Sequence, residues 1–271
     1  MSQDTFACNG LPGNAILSRL LSDEASRFTR HFRTVELGAQ QTLYAPGDEV
    51  THAYFPVGCV ITTVTTMNDG ATVETSMVGR EGVAGVAAVT TSGLRVRDWT
   101  RVLLAGEALR VEASLLREVF QEGREWQTPL LRYYSTLIGQ VSRRAVCNTR
   151  HRLNERLGTW LLMLFDRVGR DEIMLTQEIA ARQLGVRRAG VNECMGQLQR
   201  ANIVQHSRGH IRLVNREALE GAACLCYPEF REDARWHESA FGRDGSNSHG
   251  DGLRRDGTMF QSSPRMQTHL N

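Results

Sequence analysis

The hydrophobic periodicity of the chain changes at Glu112, and that change limits the fold more than any other feature of the sequence. Upstream, the stretch VELGAQQTLYAPGDEVTHAYFPVGCVITTV (Val35 to Val64) is broken every few residues by Gly, Pro, Asn or Asp, with β-branched and aromatic residues between. Runs of that composition predict short strands joined by tight turns. Asn68, Asp69 and Gly70 mark a further hairpin turn, and VETSMVG and TRVLLAGEALRV continue the texture. Strands at this spacing predict a small antiparallel barrel or roll.

Downstream the period becomes helical. ASLLREVF reads as a short helix, and Trp126 to Cys147 as a longer one with Leu130, Tyr134, Leu137 and Val141 at spacings of four and three. Pro129 is expected in its first turn, where a missing N–H does no harm. The apolar stripe predicts a dimer contact, with packing on its own domain as the alternative. Residues 150–168, RHRLNERLGTWLLMLFDRV, form another helix with Leu153, Leu157, Trp160, Leu161, Leu164 and Phe165 on one face.

LTQEIAARQLGVRRAGVNECMGQLQRANIV then reads as two short helices. Thr176 caps the first, and Gly185 supplies the left-handed residue that ends it. IVQHSRGHIRLV follows as a hairpin turning at Ser207, Arg208 and Gly209. The expected architecture is α+β: an antiparallel roll over 15–125, a dimerisation helix over 126–148 and a winged helix-turn-helix over 149–226. Residues 227–271 are rich in Gly, Ser, Asn, Asp, Arg and His without a sustained apolar period, and are expected to form a disordered tail.

Charge singles out the third of these regions. The whole chain carries a net +2, but residues 143–216 hold 14 Arg against 6 acids, whereas 1–142 hold 12 Arg against 15 acids. A local excess of +8 favours a polyanionic partner. All 32 basic residues are Arg, which a codon-level bias explains as readily as function. At the start of the second short helix stand Arg187, Arg188 and Asn192, side chains able to bond guanine or adenine edges. Thr176, Gln177, Arg208 and His210 are placed to hold phosphates.

This order of elements resembles the cyclic AMP receptor protein and fumarate-nitrate reductase regulator (Crp/Fnr) superfamily of bacterial transcription regulators. The resemblance covers about residues 15–226 and rests on LGAQQTLYAPGDEVTHAYFPVGCV (Leu37 to Val60) and, more specifically, on Leu175 to Val204. It implies a cyclic-nucleotide-binding-like jelly roll, a homodimer on double-stranded DNA, RNA polymerase as a further partner and a small effector. Arg188 falls where family members place a base-reading Arg, while Ala189 and Glu193 depart from the Glu and Arg of the cyclic AMP branch. Members that bind a cyclic nucleotide use a Gly-Glu pair and an Arg-Ser/Thr-Ala run. Here Gly85 is followed by Val86, and Arg95 and Arg97 are followed by Val96 and Asp98. The expected effector is therefore not cyclic AMP, with Arg95 and Arg97 left as candidate anion contacts.

Other chemistries find less support. The cysteines at 8, 59, 147, 194, 224 and 226 form neither a paired CxxC zinc motif nor the clustered N-terminal set of the iron-sulfur branch, so no metal or cofactor is expected. His31 and His52 are candidate haem ligands without a supporting signature. Cys224 and Cys226 with His206 or His210 outline a thiol or metal-assisted hydrolase, but no nucleophile-base motif or phosphate loop accompanies them, and the chain is read as a non-enzyme. A ligand-binding module with weak DNA binding is the alternative function. No run approaches the ~18 to 20 apolar residues of a membrane span, and the start MSQDTFACNG lacks a signal core, so a cytoplasmic protein with no membrane partner is expected.

Overall fold

The computed structural model describes residues 13–19, 28 and 30–239. Seven strands build the N-terminal region: β1 (Arg33–Leu37), β2 (Thr42–Tyr44), β3 (His52–Pro56), β4 (Val60–Thr66), β5 (Thr72–Val78), β6 (Trp99–Leu104) and β7 (Gly106–Glu112). They pair antiparallel in two sheets, β1-β7-β3 and β2-β6-β4-β5, so the expected roll is present. Leu37, Tyr44, Val50, Ile61, Val102 and Ala108 fill its interior. Helix α1 (Ala113–Glu122) and the long α2 (Arg124–Arg150) close it, through a second cluster that includes Phe55, Val111, Leu116, Trp126 and Tyr133.

Helix α3 (Leu153–Val168) leads into the C-terminal region. There β8 (Glu172–Met174), α4 (Gln177–Leu184), α5 (Arg188–Arg200), β9 (Val204–Ser207) and β10 (His210–Leu213) make a winged helix-turn-helix with sheet order β8-β10-β9. Helices α6 (Arg216–Ala222) and α7 (Tyr227–Ser239) follow. The apolar face expected on α3 is wider in the structure: Leu162 and Met163 are buried as well. The reason is that α3 lies between α5, α6 and α7 on one side and the roll's Val60, Met77, Leu103 and Leu104 on the other, within one continuous core. The covering is complete only from Leu157 to Phe165, where every residue is buried, while Asn154 near the start of the helix stays exposed.

Three expectations need correction. Helix α2 begins at Arg124, so Pro129 falls beyond the first turn and leaves the Glu125 carbonyl without its helical N–H. Of the four residues expected in an open seam, Leu130 is 1% exposed and packs into the roll's second cluster, and Leu137 packs against the same cluster. The apolar stripe that α2 presents outward is Leu131, Tyr134, Ile138, Val141 and Val146, between 37% and 55% exposed. The two stripes lie side by side, and only docking on the roll decides which one is covered. Finally, residues 227–239 are helical, with Tyr227 and Phe230 buried against α3, although they were expected to be disordered. Two aromatic anchors suffice there because the surface they cover already exists. Residues 240–271 lie outside the described residues, as does Cys8.

Candidate nucleic-acid interface

Local sequence sets the geometry of the helix-turn-helix. Thr176 takes extended backbone ahead of α4, and its Oγ1 accepts from the Ile179 N–H at 3.2 Å. At the other end Gly185 adopts φ 65°, and the Val186 N–H returns to the Ala181 carbonyl at 3.0 Å. A Cβ on this glycine would stand 2.6 Å from Val73 Cγ2, so the position is glycine both for the hand of the turn and for the approach of β5.

Helix α5 starts at Arg188 with Arg187 in the cap position, no side-chain cap and no acid in its first turn. Val191, Cys194, Met195 and Leu198 face the core, and Arg187, Arg188 and Asn192 are exposed. Arg188 and Asn192, four residues apart, share the outward face. Two guanidinium groups at the positive end of a helix are unfavourable in the free protein, and an approaching phosphate relieves that repulsion.

The wing turns through Arg208 at φ 48° and Gly209 at φ 82°, the hand that suits a two-residue hairpin. The Leu175 N–H donates to the Gly209 carbonyl at 2.7 Å and holds the wing tip beside the start of α4. Thr176, Gln177 and Arg208 are thereby brought to one edge of the helix-turn-helix. His210 differs: its Nδ1 lies 3.2 Å from Glu172 Oε1, a carboxylate that a phosphate would have to displace.

In the roll, a cavity of about 310 Å³ is lined by Tyr44, Val50, Ile61 and Val83 among others and bounded on the helix side by Tyr134 and Leu137. The structure separates the two arginines considered together in the sequence. Arg97 lies on the cavity wall beside Asp98, whereas the Arg95 Nη1 donates to the Gly47 carbonyl at 2.7 Å in the β2–β3 turn. The Tyr44 hydroxyl donates to the His52 carbonyl at 2.6 Å, and burial pushes its phenol up to about 12. His31 and His52 border one cleft elsewhere on the roll, together with Arg33, Arg110, Glu112 and Glu118.

Sequence reasoning missed the seam between the roll and the helix-turn-helix. Glu74 on β5 is 1% exposed and ion-paired with Arg144 of α2. Trp160 Nε1 of α3 donates to its two carboxylate oxygens at 3.2 and 3.3 Å. Thr62 Oγ1 donates to Glu74 Oε2 at 3.0 Å, with Gln183 Oε1 of α4 standing 3.4 Å from the same hydroxyl. Burial raises the Glu74 carboxyl above its ordinary range, while Arg144, then Trp160 and Thr62, pull it back. A second buried pair, Glu81 and Arg167 at 2.9 Å, spans the same seam beside Gln140. No local pattern marks Glu74 or Glu81, because each reads as one more polar residue near a strand end. The structure also brings Cys147, remote in sequence, to Cys224, with the sulfurs 3.5 Å apart.

A roll closed by a long helix and followed by a winged helix-turn-helix is the fold of the Crp/Fnr transcription regulators. Within it, residues 155–222 match the Crp-like helix-turn-helix domain, and it is on this match that the C-terminal region is placed in that family. Among solved structures, FixK2 from Bradyrhizobium japonicum aligns with TM-score 0.61 at 17% identity, covering 72% of this chain and 98% of that one. The c-di-GMP responsive global regulator CLP from Xanthomonas campestris gives 0.57 at 14%, covering 69% and 96%. A CRP-family transcriptional regulator of Thermus thermophilus gives 0.57 at 19%, covering 70% and 96%. Curated protein sequences give no match. At these identities the likeness establishes the fold. No helix among the described residues is long and apolar enough to cross a membrane.

Proposed function

We propose that this chain is a homodimeric, sequence-specific DNA-binding transcription regulator of the cytoplasm, acting on RNA polymerase and governed by a small effector in its roll. The observation that carries this reading is the uncapped start of α5, where Arg188 and Asn192 share one exposed face beside a wing held against α4. Arg187, Arg188 and Asn192 read base edges, and Thr176, Gln177 and Arg208 hold phosphates, with His210 contributing once Glu172 is displaced. The outward stripe of α2 from Leu131 to Val146 meets its copy across a two-fold axis, setting two heads on half-sites about 34 Å apart.

Selection of duplexes from a random pool by the purified full chain tests this. The expected product is a near-palindrome bound with affinity that falls steeply with salt. Recovery of unrelated duplexes with no shared motif would remove the claim.

The cavity favours an effector other than cyclic AMP. Its wall is mainly apolar, and Arg97 has Asp98 beside it, so a phosphate placed there would meet a carboxylate as well as a cation. Calorimetric titration with cyclic AMP and cyclic GMP is expected to show no micromolar binding. Micromolar binding lost on Arg97→Ala would instead support the alternative, a nucleotide-binding module. Tyr134 borders the cavity and also stands in the outward stripe of α2, so occupancy of the one acts directly on the other.

A further inference from the structure

Where α2 ends, the structure gathers sulfur from two distant parts of the chain. Cys147 lies in the last turn of α2, and Cys224 and Cys226 both lie in the link between α6 and α7. Their three Sγ atoms lie within 4.8 Å of one another, with Cys147 and Cys224 at 3.5 Å. A tetrahedral zinc ion with Zn–S bonds of about 2.3 Å requires sulfurs about 3.8 Å apart, so the triangle is already close to that size.

Polar groups are directed at this triangle as well. His151, the residue that ends α2, places Nε2 3.3 Å from Cys226 Sγ, and its Nδ1 lies 3.9 Å from Glu155 Oε2. This imidazole has one nitrogen towards the Cys226 sulfur and the other on the side of a carboxylate that a shift of a few tenths of an ångström to an ångström would bring into hydrogen-bond range, the arrangement of a zinc ligand supported from behind. Thr159 Oγ1 accepts from the Cys224 N–H at 3.0 Å, and its own hydrogen can be donated to Cys224 Sγ, also at 3.0 Å. Arg144 and Arg156 add positive charge around the sulfurs.

We propose that Cys147, Cys224 and Cys226 form a structural site for a soft divalent cation, zinc by its preference for three thiolates and an imidazole in tetrahedral array, with His151 as the fourth ligand. Loading the ion displaces three thiol protons to solvent, with no change of oxidation state. His151 approaches from the Cys226 side and lies outside the set of ligand atoms within 4.8 Å of one another, so its ring must swing towards Cys147 and Cys224 to complete the tetrahedron. The ion joins the end of α2 to the α6–α7 link, and so fixes the angle at which the winged domain leaves the central helix. This site is independent of the DNA-binding reading.

The test is anaerobic titration of reduced, metal-free full-length chain with Co²⁺. One equivalent per chain is expected to give intense thiolate-to-metal charge-transfer absorption and the strong visible bands of a tetrahedral ion, both removed by competing Zn²⁺. Cys226→Ser, at a half-buried position, is expected to weaken uptake at least about 100-fold while the far-ultraviolet circular dichroism stays that of the parent. His151→Ala is expected to weaken it by about 10-fold or more. Cys59→Ser and Cys194→Ser, remote from the cluster, leave it unchanged. Folded parent protein that gives no charge-transfer band at excess cobalt overturns the proposal, as does an unchanged spectrum in Cys226→Ser. Formation of a Cys147–Cys224 disulfide in air, with no metal uptake before oxidation, overturns it equally.

Discussion

The helix-turn-helix surface and the seam behind it use charge in opposite ways. At the start of α5, Arg187 and Arg188 are exposed, and the helix has neither a side-chain cap nor an acid in its first turn to offset their charge. Behind it, Glu74 and Glu81 of the roll are buried against Arg144 and Arg167, with hydrogen bonds from Trp160 and Thr62 completing the first pair. Exposed cations are individually cheap and easily exchanged, which suits contacts that must form and break on DNA. Buried pairs add little net stability over an apolar replacement but are costly to break singly, which suits a joint that must keep one geometry.

The largest effect is expected from breaking the seam on one side. Glu74→Ala leaves the Arg144 guanidinium, in a residue 7% exposed, without its counter-charge, and should lower the unfolding free energy by about 3 to 5 kcal/mol in chemical denaturation. Glu74→Leu combined with Arg144→Met should recover most of that loss. A double variant as unstable as the single one would show that hydrogen bonding, and not ion pairing, holds the joint.

The two stripes of α2 separate next. Leu130→Ala should reduce stability by about 2 to 5 kcal/mol, since it opens a cavity in the roll's second cluster, while leaving the association state unchanged. Ile138→Glu, on the outward stripe, should do the reverse: little loss in the monomer, but at least about 2 kcal/mol lost from association. Sedimentation that found Ile138→Glu intact and Leu130→Ala dissociated would restore the inward residues as the dimer seam.

On the exposed side the effects are smaller and distinguish reading from holding. Arg188→Ala should weaken binding to the selected duplex by about 1 to 3 kcal/mol with little change on random DNA. Arg208→Ala should weaken both alike by less than about 1 kcal/mol and reduce the salt slope by about one unit. Equal losses on the two DNAs for Arg188→Ala would remove the division between them.

The sequence by itself determined the strands of the roll and of the wing hairpin, the helices from α1 to α5, the Thr176 cap, the Gly185 and Arg208–Gly209 turns and the exposed face of α5, but not the short strand β8 that joins the wing sheet. Each depends on residues within a few positions of one another: a side-chain oxygen reaching an N–H three residues on, a glycine at positive φ, a repeat of 3.6 or 2. Only the tertiary structure decided that Leu130 turns inward and Ile138 outward, because adjacent stripes on one helix are told apart by the surface on which it docks. In the same way it decided that Tyr227 and Phe230 anchor a helix in a segment whose composition reads as disordered. Glu74 meets Arg144, and Cys147 meets Cys224, across 70 and 77 positions, where nothing local records the partner. Burial is what gives those contacts their energy, and burial is a property of the packed layers rather than of any segment in them.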